Sequence, residues 1–271
     1  MEITGGVLFL EHTSEAALQV PLPFGEAVVF SRPSPVKESN EDAAGILPYP
    51  GGALFAVADG MGGLAAGERA SRITLETLRQ RMSTGEEREE ALRHAVLDGL
   101  ELANRAVLDL GIGAGTTFAG VIVRDNSARA VHVGDSLVLH VGSRGKIKAR
   151  TISHSPTGYA IEAGILDEEA AMHHEERHLI SNFVGRDGMR IEFGASVPIA
   201  PKDTLLVATD GLSDNLTLEE MVTIVRKGPL LDAGVQLAEL AETRMRAAVA
   251  GRPSKPDDLT FILFRPCTGA S

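Results

Sequence analysis

Four aspartates stand where a short apolar run meets an irregular segment: Asp59 after ALFAVA, Asp135 after AVHVG, Asp210 after LLVAT, and Asp257 just before LTFILF. Such runs read as buried strands. A carboxylate at a strand end is held on a rigid element while its charge projects past the sheet. With Glu41 and Asp42 upstream, these junctions imply that distant strand ends converge on one oxygen-rich pocket. Like charges held that close carry an electrostatic cost that a bound cation offsets. Asp59-Gly60 and Asp210-Gly211 are each ordinary turn dipeptides when met alone; the recurrence of the construction carries the reading.

The donor set is all oxygen, with no convergent histidine or cysteine pattern, which selects Mg²⁺ or Mn²⁺ over zinc. The single cysteine, Cys267, excludes an internal disulfide framework and a thiolate cluster. A formal charge of -11, with 26 Lys and Arg residues dispersed along the chain, excludes a nucleic-acid groove. At 271 residues and 44% hydrophobic content, one sizeable core is expected. Glu2, Glu11 and Glu15 occupy the N-terminal region, and no apolar stretch reaches the ~18 residues of a membrane span. A cytoplasmic monomer without a membrane segment is expected.

Residues 1–25 read as an extension or edge strand, ending in Pro21-Leu22-Pro23. Pro33 and Pro35 keep the approach to Asn40, Glu41 and Asp42 irregular. Ala53 to Ala58 is a buried strand, followed by a glycine-rich bend over Asp59–Gly63. Ala70, Ile73 and Thr77 beside Leu75, Leu78 and Met82 predict a helix, and a second runs from about Glu86 to Leu110. Thr117–Val123, Ala130–Val133 and Leu137–Val141 read as an antiparallel meander. Residues 151–192 look like a mobile, flap-like insertion with one short helix. Leu205–Thr209 is a strand, Thr217 with Glu220 forms a capping-box pattern, a helix covers about Ala233–Val249, and Leu259–Phe264 closes the chain. The distribution suits an α+β fold of two packed antiparallel sheets flanked by helices.

The motifs KESNED (Lys37 to Asp42), VADGMGG (Val57 to Gly63), GERAS (Gly67 to Ser71), GTT (Gly115 to Thr117), VGDS (Val133 to Ser136), SHS (Ser153 to Ser155), DTLLVATDGL (Asp203 to Leu212) and DDLT (Asp257 to Thr260) resemble, in order, those of the metal-dependent protein phosphatases of the PP2C type. The resemblance covers about residues 28–264. It implies a four-layer α-β-β-α sandwich at 26–266, a tail at 267–271, and hydrolysis of phosphoserine and phosphothreonine on proteins. A metal-activated water would attack phosphorus in line, with no phosphoenzyme. Carried over by position, Asp59 matches the aspartate that bridges two Mn²⁺ or Mg²⁺ ions and Gly60 a carbonyl ligand. Asp210 and Asp257 match ligands of the first ion and Glu41 a ligand of the second. Asp42 matches a residue holding metal-bound water, and Asp135 a ligand of a third ion used by bacterial members. The expected partners are phosphorylated proteins, targets of a serine/threonine kinase.

Several positions depart from the family pattern. Lys37 stands where an arginine usually grips the phosphate, and a lysine supplies a point charge instead of a fork. Met61 replaces a histidine found in some members, Ser153 an aspartate, Leu137 an arginine and Asp258 an asparagine. These departures raise an alternative: a phosphatase-fold regulatory module that binds a phosphorylated partner with little or no turnover. A metal-dependent nuclease or cyclic nucleotide hydrolase shares the chemistry but finds no basic groove. His132 and His140, which alternate on strands, read as packed or solvent-facing groups, and His173, His174 and His178 as part of a solvated face beside Glu175, Glu176 and Arg177.

Overall fold

Alternation along single strands shows how the layers are built. In the computed structural model, which describes residues 6–63, 65–83, 89–167, 170–171, 174–176 and 179–267, the early strands are β1 (Val7–Leu10), β2 (Leu18–Leu22), β3 (Gly25–Arg32), β4 (Ala43–Tyr49), β5 (Gly52–Ala58), β6 (Gly60–Met61) and β7 (Gly115–Thr116). The later ones are β8 (Phe118–Arg124), β9 (Ser127–Val133), β10 (Leu137–Val141), β11 (Ile147–Arg150), β12 (Glu192–Pro198), β13 (Thr204–Ala208) and β14 (Leu259–Pro266). The helices are α1 (Ala65–Met82), α2 (Glu89–Leu108), α3 (Pro156–Glu162), α4 (Asp210–Ser213), α5 (Leu218–Val225) and α6 (Leu230–Arg246).

One six-stranded sheet has the order β1-β4-β5-β8-β9-β12, the other β11-β10-β13-β14-β3-β2. Every pairing is antiparallel. On β5, Leu54, Ala56 and Ala58 join the cluster under α1 and α2, whereas Ala53, Phe55 and Val57 face the opposite sheet. On β14, Ile262 and Phe264 fill the space between the sheets while Leu259, Phe261 and Leu263 pack under α5 and α6. The period of two thus makes three apolar interfaces from two sheets and two helix pairs, the expected α-β-β-α sandwich.

The first 25 residues supply an edge strand to each sheet, β1 beside β4 and β2 beside β3. The expected meander breaks after β9, because β8 and β9 pair with each other but β10 pairs with β11 and β13 in the second sheet. Gly134, at φ +110, makes that crossing, where a Cβ would stand 2.8 Å from the Thr117 side chain. The bend after Asp59 contains β6, which pairs with β7. The capping box at Thr217 and Glu220 starts α5 as expected. Helix α2 ends at Leu108; residues 84–88, where its predicted start falls, and His173, Arg177 and His178 lie outside the described residues. Among the described residues, no helix is long and apolar enough to cross a membrane.

Candidate functional site

Asp59 follows the last residue of β5, and its backbone is clamped from the segment that starts at β7. Thr117 N–H donates to the Asp59 carbonyl at 2.9 Å, the Thr116 hydroxyl to the same oxygen at 2.7 Å, and Asp59 N–H to Thr117 Oγ1 at 3.1 Å. Thr117 Oγ1 also lies 2.7 Å from Ser136 Oγ, which ties the Asp59 turn to the Gly134-Asp135-Ser136 crossing between the sheets. Gly60 and Gly67 let α1 approach. A Cβ on Gly67 would stand 2.6 Å from Glu41 Oε1, and one on Gly60 would stand 2.6 Å from the Glu41 carbonyl.

Asp42 immediately precedes β4 and is buried, with Oδ2 accepting from the Thr209 hydroxyl at 2.8 Å. Thr209 lies between β13 and Asp210, so one hydroxyl joins the two sheets beneath the acids. Asp258 is also buried. Its Oδ1 accepts Ser34 N–H and its Oδ2 accepts Glu41 N–H, both at 2.8 Å, so it pins the proline-containing segment that carries Lys37.

The electrostatics show convergence. Burial, followed by Asp210, Asp42, Asp257 and Asp135, raises the Asp59 pKa well above the usual carboxylate range. Burial raises Asp42, with Asp258 adding to the effect. Asp135 is pushed up to about 8 by burial together with Asp210 and Asp214, against the opposing charge of Lys255. Asp257 is raised by burial and by Asp210. Among the described residues, Glu41 Oε1, Asp42 Oδ1 and Asp135 Oδ1 are buried oxygens with no hydrogen-bond partner. Buried polar atoms are rarely left so, and carboxylate oxygens beside other carboxylates fit a hard dication.

Two lysines enter the same space. Lys37 Nζ lies 2.9 Å from Glu41 Oε2, 3.6 Å from Asp258 Oδ2 and 4.0 Å from Asp257 Oδ1. Lys255 Nζ lies 2.7 Å from Asp210 Oδ2, 2.8 Å from Asp257 Oδ2 and 3.0 Å from Asp214 Oδ2. Sequence reasoning passed over Lys255, Asp214 and the bracing by Asp258. The visible signal was Lys255 itself, two residues before Asp257 in PSKPDD.

The structure thus brings Lys37, Glu41, Asp42, Asp59, Gly60, Asp135, Asp210 and Asp257 to one end of the sandwich. A cavity of about 240 Å³ adjoins the Asp135, Asp210 and Asp214 corner and runs under α3, lined also by Leu137, Ile161 and Met221.

A second group of ligand-type atoms, on His132, His154 and Glu192, lies within 4.8 Å of one another. His154 Nδ1 faces Gly134 N–H at 3.1 Å and Asn182 Nδ2 at 2.9 Å, so it accepts and the proton sits on Nε2, 3.2 Å from Glu192. A ring in that tautomer has no lone pair for an ion at Nε2. His154 therefore braces the Gly134 crossing from the 151–192 segment. His140 is buried and bonded to Asp203 at 2.9 Å, a packed role as expected.

Comparison with known proteins shows the family and the fold. The family model described as protein phosphatase 2C matches residues 35–247. Protein phosphatase PhpP of Streptococcus pneumoniae is 30% identical over 209 residues, 73% of this chain and 80% of that protein. The serine/threonine phosphatase of S. agalactiae superposes with a TM-score of 0.78 at 26% identity, over 89% of this chain and 99% of that one. The catalytic domain of the serine/threonine protein phosphatase PstP, solved in complex with 2 manganese ions, gives a TM-score of 0.70 at 25% identity, over 89% and 98% of the two chains. With its motifs in order, its strand-end acids together and four-fifths of its length matched, the chain belongs to the protein phosphatase 2C family.

Proposed function

We propose that this phosphatase hydrolyses phosphoserine and phosphothreonine on proteins, using two Mn²⁺ or Mg²⁺ ions held by Glu41, Asp59, Asp210, Asp257 and the Gly60 carbonyl, with Asp135 turned toward a third. The observation that carries the reading is the set of buried, unpartnered carboxylate oxygens on Glu41, Asp42 and Asp135 around Asp59, whose charge is already disfavoured by its neighbours. The PstP structure, solved with 2 manganese ions, supports a two-ion centre by likeness.

Bound dications supply an activated water and neutralise charge on the phosphoryl oxygens. This chain's residues do the rest. Asp59, locked by Thr116 and Thr117, fixes the centre of the site. Asp42, with one oxygen on Thr209 and the other free, is placed to orient water through a hydrogen bond. Lys37, a third exposed at the rim, supplies the positive charge nearest the open side and attracts the phosphate. The chain bears no nucleophilic cysteine here, since Cys267 is exposed beyond β14.

The test is release of phosphate from a phosphothreonine peptide by metal-stripped protein with and without added Mn²⁺. Turnover is expected only with the ion. Activity that survives EDTA overturns the metal reading, and tight peptide binding with no released phosphate at saturating Mn²⁺ replaces the enzyme with a binding module.

A further inference from the structure

We propose that Lys255 is a built-in counter-cation of the acidic site: its ammonium competes with a divalent ion for Asp210 and Asp257 and withdraws to Asp214 when the ion binds. The inference deepens the metal-centre reading above and rests on it.

The geometry is that of a cation site satisfied from within. Three carboxylate oxygens, on Asp210, Asp257 and Asp214, surround Nζ at 2.7, 2.8 and 3.0 Å, which matches the three donors of one ammonium. Two of these acids are proposed ion ligands. Asp214, at the C-cap of α4, is not among the ligands proposed above and lies 3.0 Å from the same ammonium.

The backbone beneath the lysine is fixed, so any change in the ammonium's partners falls to its side chain. Lys255 N–H donates to Asn215 Oδ1 at 2.9 Å, and Asn215 Nδ2 donates to the Lys255 carbonyl at 2.8 Å and to the Gly211 carbonyl at 2.9 Å. Asn215 thereby holds the strandless segment before β14 against the turn that carries Asp210. Residue 255 cannot drift away, and its four-carbon stem carries the ammonium between acids that differ only in whether an ion needs them.

Lys37 is placed differently. It contacts Glu41, but lies at the open rim beside Asp258, which is occupied by two backbone N–H groups. Lys37 reaches a second proposed ligand, Asp257, only at 4.0 Å, whereas Lys255 holds two of them closely, Asp210 at 2.7 Å and Asp257 at 2.8 Å. Two consequences follow. Asp210 and Asp257 keep a counter-charge in the metal-free protein, and affinity for the ion they hold is set lower than the carboxylates alone would give, because that ion displaces an ammonium.

Calorimetric titration of Mn²⁺ into metal-stripped protein tests this without reference to turnover. Lys255→Met is expected to bind Mn²⁺ about tenfold more tightly than wild type, equivalent to about 1.4 kcal/mol. Its melting temperature in chelator is expected to fall. Lys255→Arg, which keeps the charge, is expected to stay close to wild type. Asp214→Asn, which removes the place of withdrawal, is expected to weaken Mn²⁺ binding in wild type but not in the Lys255→Met background, a coupling read by the double-mutant cycle. Lys255→Gln serves the same purpose if the methionine variant does not survive metal stripping. Unchanged or weaker Mn²⁺ binding in the charge-removing variant overturns the proposal. Wild-type protein that binds no Mn²⁺ overturns the metal-centre reading instead, whereas binding that Asp59→Asn abolishes and Lys255→Met leaves unaltered overturns the role of Lys255 alone.

Discussion

Two polar clusters lie either side of Asn215, and they are built on opposite rules. On one side, the acids around Asp59 meet like charges, and their pKa values are driven upward. On the other, Arg244 in α6 meets Glu220 in α5 as a two-pronged pair, with Nη1 at 2.7 Å from Oε2 and Nη2 at 2.5 Å from Oε1. Nη1 also reaches the Asn215 carbonyl at 2.6 Å. Hydrogen bonds from Arg244, against the opposing effect of burial, bring the Glu220 pKa down to about 2. The Arg244 cluster is complete within the polypeptide and stabilises the helix pair. The acidic cluster leaves three oxygens unpartnered and holds an electrostatic cost that stability alone would not select. Placed one residue apart along the α4–α5 connection, they show how a rigid, satisfied anchor positions a site that is not satisfied.

The comparison breaks first at its centre. Asp59→Asn is expected to lower Mn²⁺-dependent phosphate release at least about 10²-fold, the scale seen when one electrostatic element of an active site is lost. It is also expected to raise the melting temperature of the metal-free protein, because a buried repulsive charge disappears. A variant that loses both activity and metal-free stability shows the acids to be structural. Arg244→Met should behave inversely. Leaving Glu220 with only the more exposed Arg252, at 3.1 Å, is expected to cost about 2 kcal/mol in denaturant unfolding, with little change in kcat at temperatures where the variant is folded.

The pH dependence separates the clusters further, because the two shifts have opposite signs. Asp135, about 8 when folded against ~3.9 when unfolded, holds its proton more tightly in the native state. Its contribution is complete below ~pH 4 and is lost as pH rises toward 8. Glu220, about 2 when folded, contributes above ~pH 4.3 and is lost as pH falls through 2. Metal-free protein is therefore expected to melt highest in mild acid and progressively lower toward pH 8. Saturating Mn²⁺, which binds deprotonated carboxylates, is expected to remove the decline on the alkaline side. Melting curves across pH 4–8 with chelator and with Mn²⁺ check this, and parallel profiles in the two conditions contradict it.

The parts of the molecule legible in the sequence are those fixed by local chemistry. The β5 and β14 runs, the Thr217–Glu220 cap and the strand-end positions of Asp59 and Asp210 all follow from neighbouring residues. The path after β9 was not legible, since Gly134 permits either a hairpin or a crossing. Only pairing with β13, more than sixty residues away, decides between them. Glu41, Asp135 and Asp257 were legible as acids in ordered motifs, but their convergence is a tertiary fact. Lys255 was hidden for a similar reason. A lysine between prolines and acids looks like surface, and its contacts with Asp210 and Asp214 close over more than forty residues.

The smallest effect is expected at Lys37, where two departures from the family pattern meet. Lys37 in place of arginine faces Asp258 in place of asparagine at 3.6 Å. A guanidinium grips two phosphoryl oxygens at once and an ammonium does not. Lys37→Arg is therefore expected to lower KM for a phosphopeptide by about threefold with kcat held, and Lys37→Ala to raise KM more than it alters Mn²⁺ affinity. Restoring asparagine at 258 as well should not add to the gain. The two carboxylate oxygens of Asp258 accept Ser34 N–H and Glu41 N–H. An amide offers one acceptor where two are used, so the double variant is expected to lose about 1–2 kcal/mol in unfolding and to position Glu41 less well. A double variant as stable as wild type, with a further drop in KM, would show that Asp258 answers the charge of Lys37 and not the two backbone donors it receives.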